Sequence, residues 1–137
     1  MATVTSNRVS AGTQPKVLRV GLICDTAVYS LAASISTGDV IQMLRVPVNA
    51  RVVDVFVQHI GTGGLGSFVV GDGVDTDRYL SAVDISASGT LVHRMNRAID
   101  PYTYSTDDTL DILYSLSTVQ PSAGSIVMKA WIEYPGA

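Results

Sequence analysis

The sequence predicts an all-β fold, an antiparallel β-sandwich for which an eight-stranded jelly roll is the preferred topology. Three observations carry that expectation. All but Glu133 of the 12 acidic residues are Asp, and of the 9 basic residues only Lys16 and Lys129 are Lys, so the straight side chains that cover exposed helices are scarce. The 12 Gly and 5 Pro punctuate the chain together with Asp, whose short carboxylate bonds nearby backbone N–H groups in turns. Between these breaks lie short runs of Val, Ile, Thr and Tyr that alternate apolar and polar at period two.

The elements follow in order. Residues 16–24 give a first strand, with Leu18, Val20 and Leu22 on one face, broken at Asp25. Residues 26–34 give a second, because Thr, Ser, Val and Tyr interrupt the alanines and Thr37-Gly38-Asp39 turns the chain soon after. Residues 40–46 form the next strand, stopped by Pro47, and Val48-Asn49-Ala50 makes a turn. Residues 51–60 alternate most clearly, with Val53, Val55 and Val57 opposite Asp54 and Gln58. A Gly-rich loop over 61–66 leads to a short strand at 67–70, an Asp/Gly turn over 71–77 and an extended piece at 78–83. Residues 86–89 turn into a strand at 90–96, and residues 101–105 are extended and aromatic. Residues 109–116 set Leu110, Ile112, Tyr114 and Leu116 against Thr109, Asp111 and Ser115. After a turn at 120–124, residues 125–134 close the chain with Ile126, Met128, Ala130, Ile132 and Tyr134 facing inward.

A chain of 137 residues with 47% hydrophobic residues suits a single domain over 16–137, preceded by a polar arm over 1–15. Two readings of the arm stay open: a frayed terminus, or a segment that orders against a neighbouring subunit. A net charge of −3 without a Lys/Arg cluster excludes the electrostatic footprint of a nucleic-acid binder. No apolar run approaches the ~20 residues of a membrane span, and residues 1–15 lack the apolar core of a signal peptide. Cys24, alone in an apolar run, reads as a buried, inert thiol.

Candidate chemistry is thin. Gly61-Thr62-Gly63-Gly64-Leu65-Gly66 has dinucleotide-loop spacing, but a strand-like segment follows where that fold needs a helix, so it reads as a hairpin loop. Asp72, Asp75 and Asp77 lie in one compact loop; a self-capped turn is the preferred reading, with a cation site as the alternative. Asp107, Asp108 and Asp111 read as a solvated turn. His59 and His93 match no metal spacing, and the chain has no G-x-S-x-G elbow. Trp131 and the tyrosines suit a core or a subunit interface, with Tyr102 and Tyr104 the pair expected to be most exposed and a sugar platform as the alternative. The expectation is therefore no enzyme, no catalytic residue, no cofactor and no metal.

The blocks Ser36-Thr37-Gly38-Asp39-Val40-Ile41-Gln42-Met43-Leu44-Arg45-Val46-Pro47 and Ala50-Arg51-Val52-Val53-Asp54-Val55 resemble a recurring pattern in small virion proteins of tailed bacteriophages. Val69-Val70-Gly71-Asp72-Gly73, Asp75-Thr76-Asp77-Arg78-Tyr79-Leu80-Ser81-Ala82, Thr106-Asp107-Asp108-Thr109-Leu110-Asp111-Ile112 and Trp131-Ile132-Glu133-Tyr134 extend the likeness over residues 17–134. Some proteins of this kind act as capsid cement or decoration. The resemblance implies a β-sandwich subunit, trimeric through self-association, made in the host cytoplasm and mounted on the outside of the capsid. There it would lock neighbouring major capsid proteins together, with no membrane or nucleic-acid partner. It further implies that Asp72, Asp75, Asp77 and Arg78 support subunit contacts while the 1–15 arm reaches a neighbour. Another virion component (tail, neck or head fibre) and a carbohydrate-binding module are the alternatives.

Overall fold

Ten strands and no helix make up the described residues (2–6, 21–31, 33–60, 65–84, 91–95, 101–119 and 123–135) of this computed structural model. They are β1 (Thr3–Thr5), β2 (Gly21–Ser30), β3 (Val40–Val46), β4 (Arg51–Ile60), β5 (Leu65–Gly71), β6 (Leu80–Asp84), β7 (Leu91–Arg94), β8 (Tyr102–Thr103), β9 (Asp108–Val119) and β10 (Ser125–Tyr134). One sheet has the order β1-β3-β9-β5-β6, and the other β2-β10-β4-β7 with β8 also paired to β4. Every pairing is antiparallel except that of β1 with β3.

The chain changes sheet between β1 and β2, β2 and β3, β3 and β4, β4 and β5, β6 and β7, β8 and β9, and β9 and β10. This double-sheet winding is the expected jelly roll. It also corrects the hairpin reading of residues 61–66: β4 and β5 lie in different sheets and do not pair with each other, while residues 61–64 lie outside the described residues.

Side chains from both inner faces form one core. Ile41, Phe68, Ile112, Met128 and Ile132 are among its fully buried members, and the Phe68 and Tyr114 rings meet at 5.7 Å. Each such aliphatic or aromatic side chain contributes about 1.5–3 kcal/mol by leaving water. The inward set expected for residues 125–134 is buried throughout. In β4, Val55 and Val57 are buried, but Val52 joins them while Val53 is only half-buried. A bulge opposite Trp131 and Ile132 pairs Asp54 with one and Val52 with the other, which resets the alternation at Val53.

The first strand departs from expectation. β2 runs unbroken through Asp25, whose carboxylate points inward and accepts a hydrogen bond from the Tyr134 hydroxyl at 2.6 Å. That bond satisfies a carboxylate which would otherwise end the strand. Pairing with β10 then sets the phase, in which Asp25 and Ala27 face the core. Leu22 is consequently exposed, and Cys24 is exposed opposite Trp131 instead of buried. Leu18 and Val20 lie outside the described residues.

Residues 2–6, which fall in the polar arm, lie along β3. Thr3, Val4 and Thr5 pair with Val40, Ile41 and Gln42, Ala2 N–H donates to Asp39 Oδ1 at 2.9 Å, and the buried Ser6 hydroxyl donates to the Met43 carbonyl. The rest of the arm, residues 7–15, lies outside the described residues.

Candidate functional site

The Asp/Gly turn is built on a glycine. A Cβ on Gly71 would stand 2.1 Å from the Asp75 carbonyl oxygen and 2.4 Å from the Thr76 carbonyl carbon, so the backbone of 75–76 folds directly over it. Asp72 N–H then donates to Asp75 O at 2.9 Å, and Tyr79 N–H to Val70 O at 2.9 Å, closing the turn into β6. Oδ1 of Asp72 accepts from the N–H groups of Val74 (3.0 Å) and Asp75 (2.8 Å), the self-capping expected of a short carboxylate.

The other oxygen of Asp72 looks into the protein. Oδ2 accepts from Arg78 Nε at 2.5 Å and from the Tyr104 hydroxyl at 2.8 Å. The Tyr104 proton is committed to that bond, so the Tyr79 hydroxyl, 2.7 Å away, is the donor to Tyr104. Arg78 lies 3.6 Å over the Tyr102 ring, and Tyr102 and Tyr104 pack edge to face at 4.9 Å. Burial alone would raise the Asp72 pKa, but the bonds from Arg78, Asp75, Tyr104 and Val74 outweigh it and hold the carboxyl below its usual range. Burial likewise pushes both tyrosine hydroxyls up, so they stay protonated.

This cluster ties neighbouring connections together. Asn49, in the left-handed region at φ 68°, lets the β3–β4 turn present its N–H to Tyr104 O at 2.7 Å, and Tyr104 N–H returns a bond to Ala50 O at 2.9 Å. Asp107 Oδ1 accepts from Val48 N–H at 2.8 Å, while Asp108 Oδ1 accepts from Thr109 N–H at 2.8 Å and Gly73 N–H at 3.3 Å. The β3–β4 turn, the 72–79 turn, β8 and the start of β9 are thus pinned at one end of the sandwich.

Several expected surface features are therefore structural. Tyr104 is buried and Tyr102 lies beneath Arg78, so the pair expected to be exposed is the inner side of the pin. Both oxygens of Asp72 are used by protein donors, and Asp75 contributes its carboxylate 3.8 Å from Arg78. Asp77 is exposed and plays no part in the hydrogen bonds of the turn described above. Among the described residues, no three His, Cys, Asp or Glu side chains converge as metal ligands would.

Asp111 departs from the solvated turn expected for it. It is 8% exposed, opposite Gly71 in register, on the face that the turn crosses. The Thr109 side chain hydrogen-bonds to it, but Oδ1 has no partner among the described residues. Burial, reinforced by Asp108 and Asp72, pushes its pKa up to about 7.

The two histidines meet at the opposite end of β4. His59 is buried, packs edge-on to Phe68 of the other sheet at 6.4 Å, and its Nε2 lies 3.3 Å from His93 Nε2 on β7. Spacing in the sequence gives no sign of this, because β4 and β7 are joined only by long-range pairing. Trp131, 39% exposed, stands on the outer face of the second sheet near Leu22 and Cys24. Phe56, Gln58, Val127 and Lys129 line a shallow depression on that face.

No protein-family model matches the chain, and no curated protein matches it in sequence. Solved structures do share its fold. A chain in the capsid of Ralstonia phage GP4 superimposes with a TM-score of 0.73 at 12% identity, over 98% of this chain and 99% of that one. A chain of the cyanophage Pam1 capsid asymmetric unit gives 0.69 at 17% identity, over 90% and 96%. A chain in an acid-stable capsid structure of Helicobacter pylori bacteriophage KHP30 gives 0.61 at 15% identity, over 85% and 90%. At these identities the likeness is one of fold, and it runs almost end to end.

Proposed function

We propose that this chain is a cement or decoration protein of a tailed-phage capsid, bound to the outside of the shell and bridging neighbouring major capsid proteins. The observation that carries the proposal is the end-to-end sharing of one jelly roll with chains of three phage capsids, of which the GP4 chain is almost fully matched. The agreement covers 85–98% of this chain.

The polar groups of this chain suit a mechanical role. Asp72, Arg78, Tyr79 and Tyr104 spend their hydrogen-bonding capacity on one another and on backbone, which holds the loops at one end in a fixed arrangement. A rigid loop end loses little conformational freedom when it docks, so more of the contact energy appears as affinity. Repetition over a lattice then multiplies a modest contact, as in any multivalent assembly. On this reading the protein works without catalysis or cofactor, and a homotrimer covers strand edges that a single sandwich leaves exposed.

The test is reconstitution. Purified protein is added to phage shells that lack it, and bound copies and the temperature of genome release are measured. Saturable binding with a raised release temperature is expected. Shells that bind none of it would overturn the proposal.

A further inference from the structure

We infer that the His59–His93 pair is a pH-operated clasp that fastens β7 to the sandwich and releases it on acidification. The geometry is that of a direct N–H···N bond. The two rings are nearly parallel, 12° apart, with centroids at 5.4 Å and Nε2 atoms at 3.3 Å. The difference between those distances is about twice the distance from an imidazole's centre to its rim, so the nitrogens point at each other. One Nε2 must carry a hydrogen and the other must not. Such a bond survives a single added proton, but two imidazolium rings would present N–H to N–H across it.

The clasp joins β7 to its one strand neighbour among the described residues, beside the buried Met95 and the Arg94 guanidinium over the Phe56 ring. β7 spans Leu91–Arg94 at the edge of its sheet and pairs with β4 from Phe56 to His59. His59 itself is anchored, buried between the sheets with Phe68 against its ring and Ile126 opposite it on β10. Further support for β7 comes from Met95 N–H donating to Val55 O at 3.0 Å and from Arg94 bonding Asp54 on the outer face.

The charges around the pair leave the clasp acid-sensitive. β5 offers Phe68, β10 offers Ile126, and β9 offers Tyr114 behind Phe68, whose hydroxyl burial keeps protonated. Arg94 and Asp54 pair with each other on the outer face. Asp84 at the end of β6 favours protonation of both rings, yet burial outweighs it and holds both below the ordinary histidine range, with His93 pushing His59 further down. The sign follows: the neutral pair's contribution is complete above the unfolded pKa of 6.5 and is lost as pH falls through the lowered folded values. Loss of β7 would uncover the β4 edge from Phe56 to His59.

Amide hydrogen exchange of the intact protein tests this, corrected for the intrinsic pH dependence of exchange. Protection of 91–95 should fall about 10-fold or more between about pH 7.5 and about pH 5, while that of β3 and β9 holds. His93→Gln, which keeps a hydrogen-bonding group toward His59, should remove most of that dependence. Imidazole NMR titration of the unmutated protein gives an independent readout, with two coupled steps of which the second lies well below the first. Constant protection of 91–95 across that range, or two independent titrations at the ordinary histidine value, would overturn the inference.

Discussion

The Tyr104 hydroxyl donates to Asp72 Oδ2 at 2.8 Å, a buried bond between residues 32 apart in the sequence. It joins β8, and through Asn49 and Ala50 the β3–β4 turn, to the turn that leads into β6. Tyr104→Phe should therefore cost about 1–2 kcal/mol, the worth of a buried bond to a charged acceptor. Asp72→Ala should cost about 3 kcal/mol or more, because it leaves the mostly buried Arg78 and the Tyr104 hydroxyl without their acceptor. Urea unfolding of the two variants measures both, and an Asp72→Ala variant no weaker than Tyr104→Phe would contradict the arrangement.

Because protein donors occupy both Asp72 oxygens, the turn should need no cation. A chelator should move the melting temperature by about 1 °C or less, since a ligand that does not bind the native state adds nothing to its stability. A drop of several degrees would establish a cation site at Asp72, Asp75 and Asp77.

Gly71 admits no side chain. Its Cβ would fall 2.1 Å from the Asp75 carbonyl, and the atoms in the way are backbone, so Gly71→Ala must open the turn. The expected cost is about 3 kcal/mol or more, read by thermal or urea unfolding, because opening also breaks the capping bonds of Asp72. A variant as stable as the parent would show that the turn does not fold over Gly71.

Asp111 gives the protein a second pH dependence, of opposite sign to that of the histidines. Its pKa rises from 3.8 to about 7 on folding, so the unfolded chain releases this proton at lower pH and stability falls as pH climbs between those values. Asp111→Asn should stabilise the protein by about 1–3 kcal/mol at pH 8 and bring little change at pH 4, where the carboxyl is protonated in the fold. Equal effects at both pH values would refute the assignment.

Self-association is checked by light scattering. At micromolar concentrations a mass three times that of the chain is the expected result, and a monomer would remove the trimer from the proposed function.

Much of the fold is legible in the sequence. β3, β4 and β10 begin and end where Pro47, the 48–50 turn and the alternation place them, because one buried face imposes period two on β10 and, on either side of a bulge, on β3 and β4. The phase of β2 is not legible: nothing local reveals that Asp25 finds the Tyr134 hydroxyl 109 residues away, and with that bond the strand continues and Cys24 turns outward. The Asp72 turn is readable from its Asp and Gly, whereas its second oxygen's partners are not, since Tyr104 arrives through β8–β4 pairing. His59 and His93 meet for the same reason: cross-strand register brings them together, and composition and spacing carry no trace of it.

Cryo-electron microscopy of the virion that carries this chain is the most direct examination of the proposed role. Density for this jelly roll should stand on the outer surface of the shell and touch more than one major capsid subunit. A bare shell, with the same density found only in the neck, tail or fibres, would contradict it.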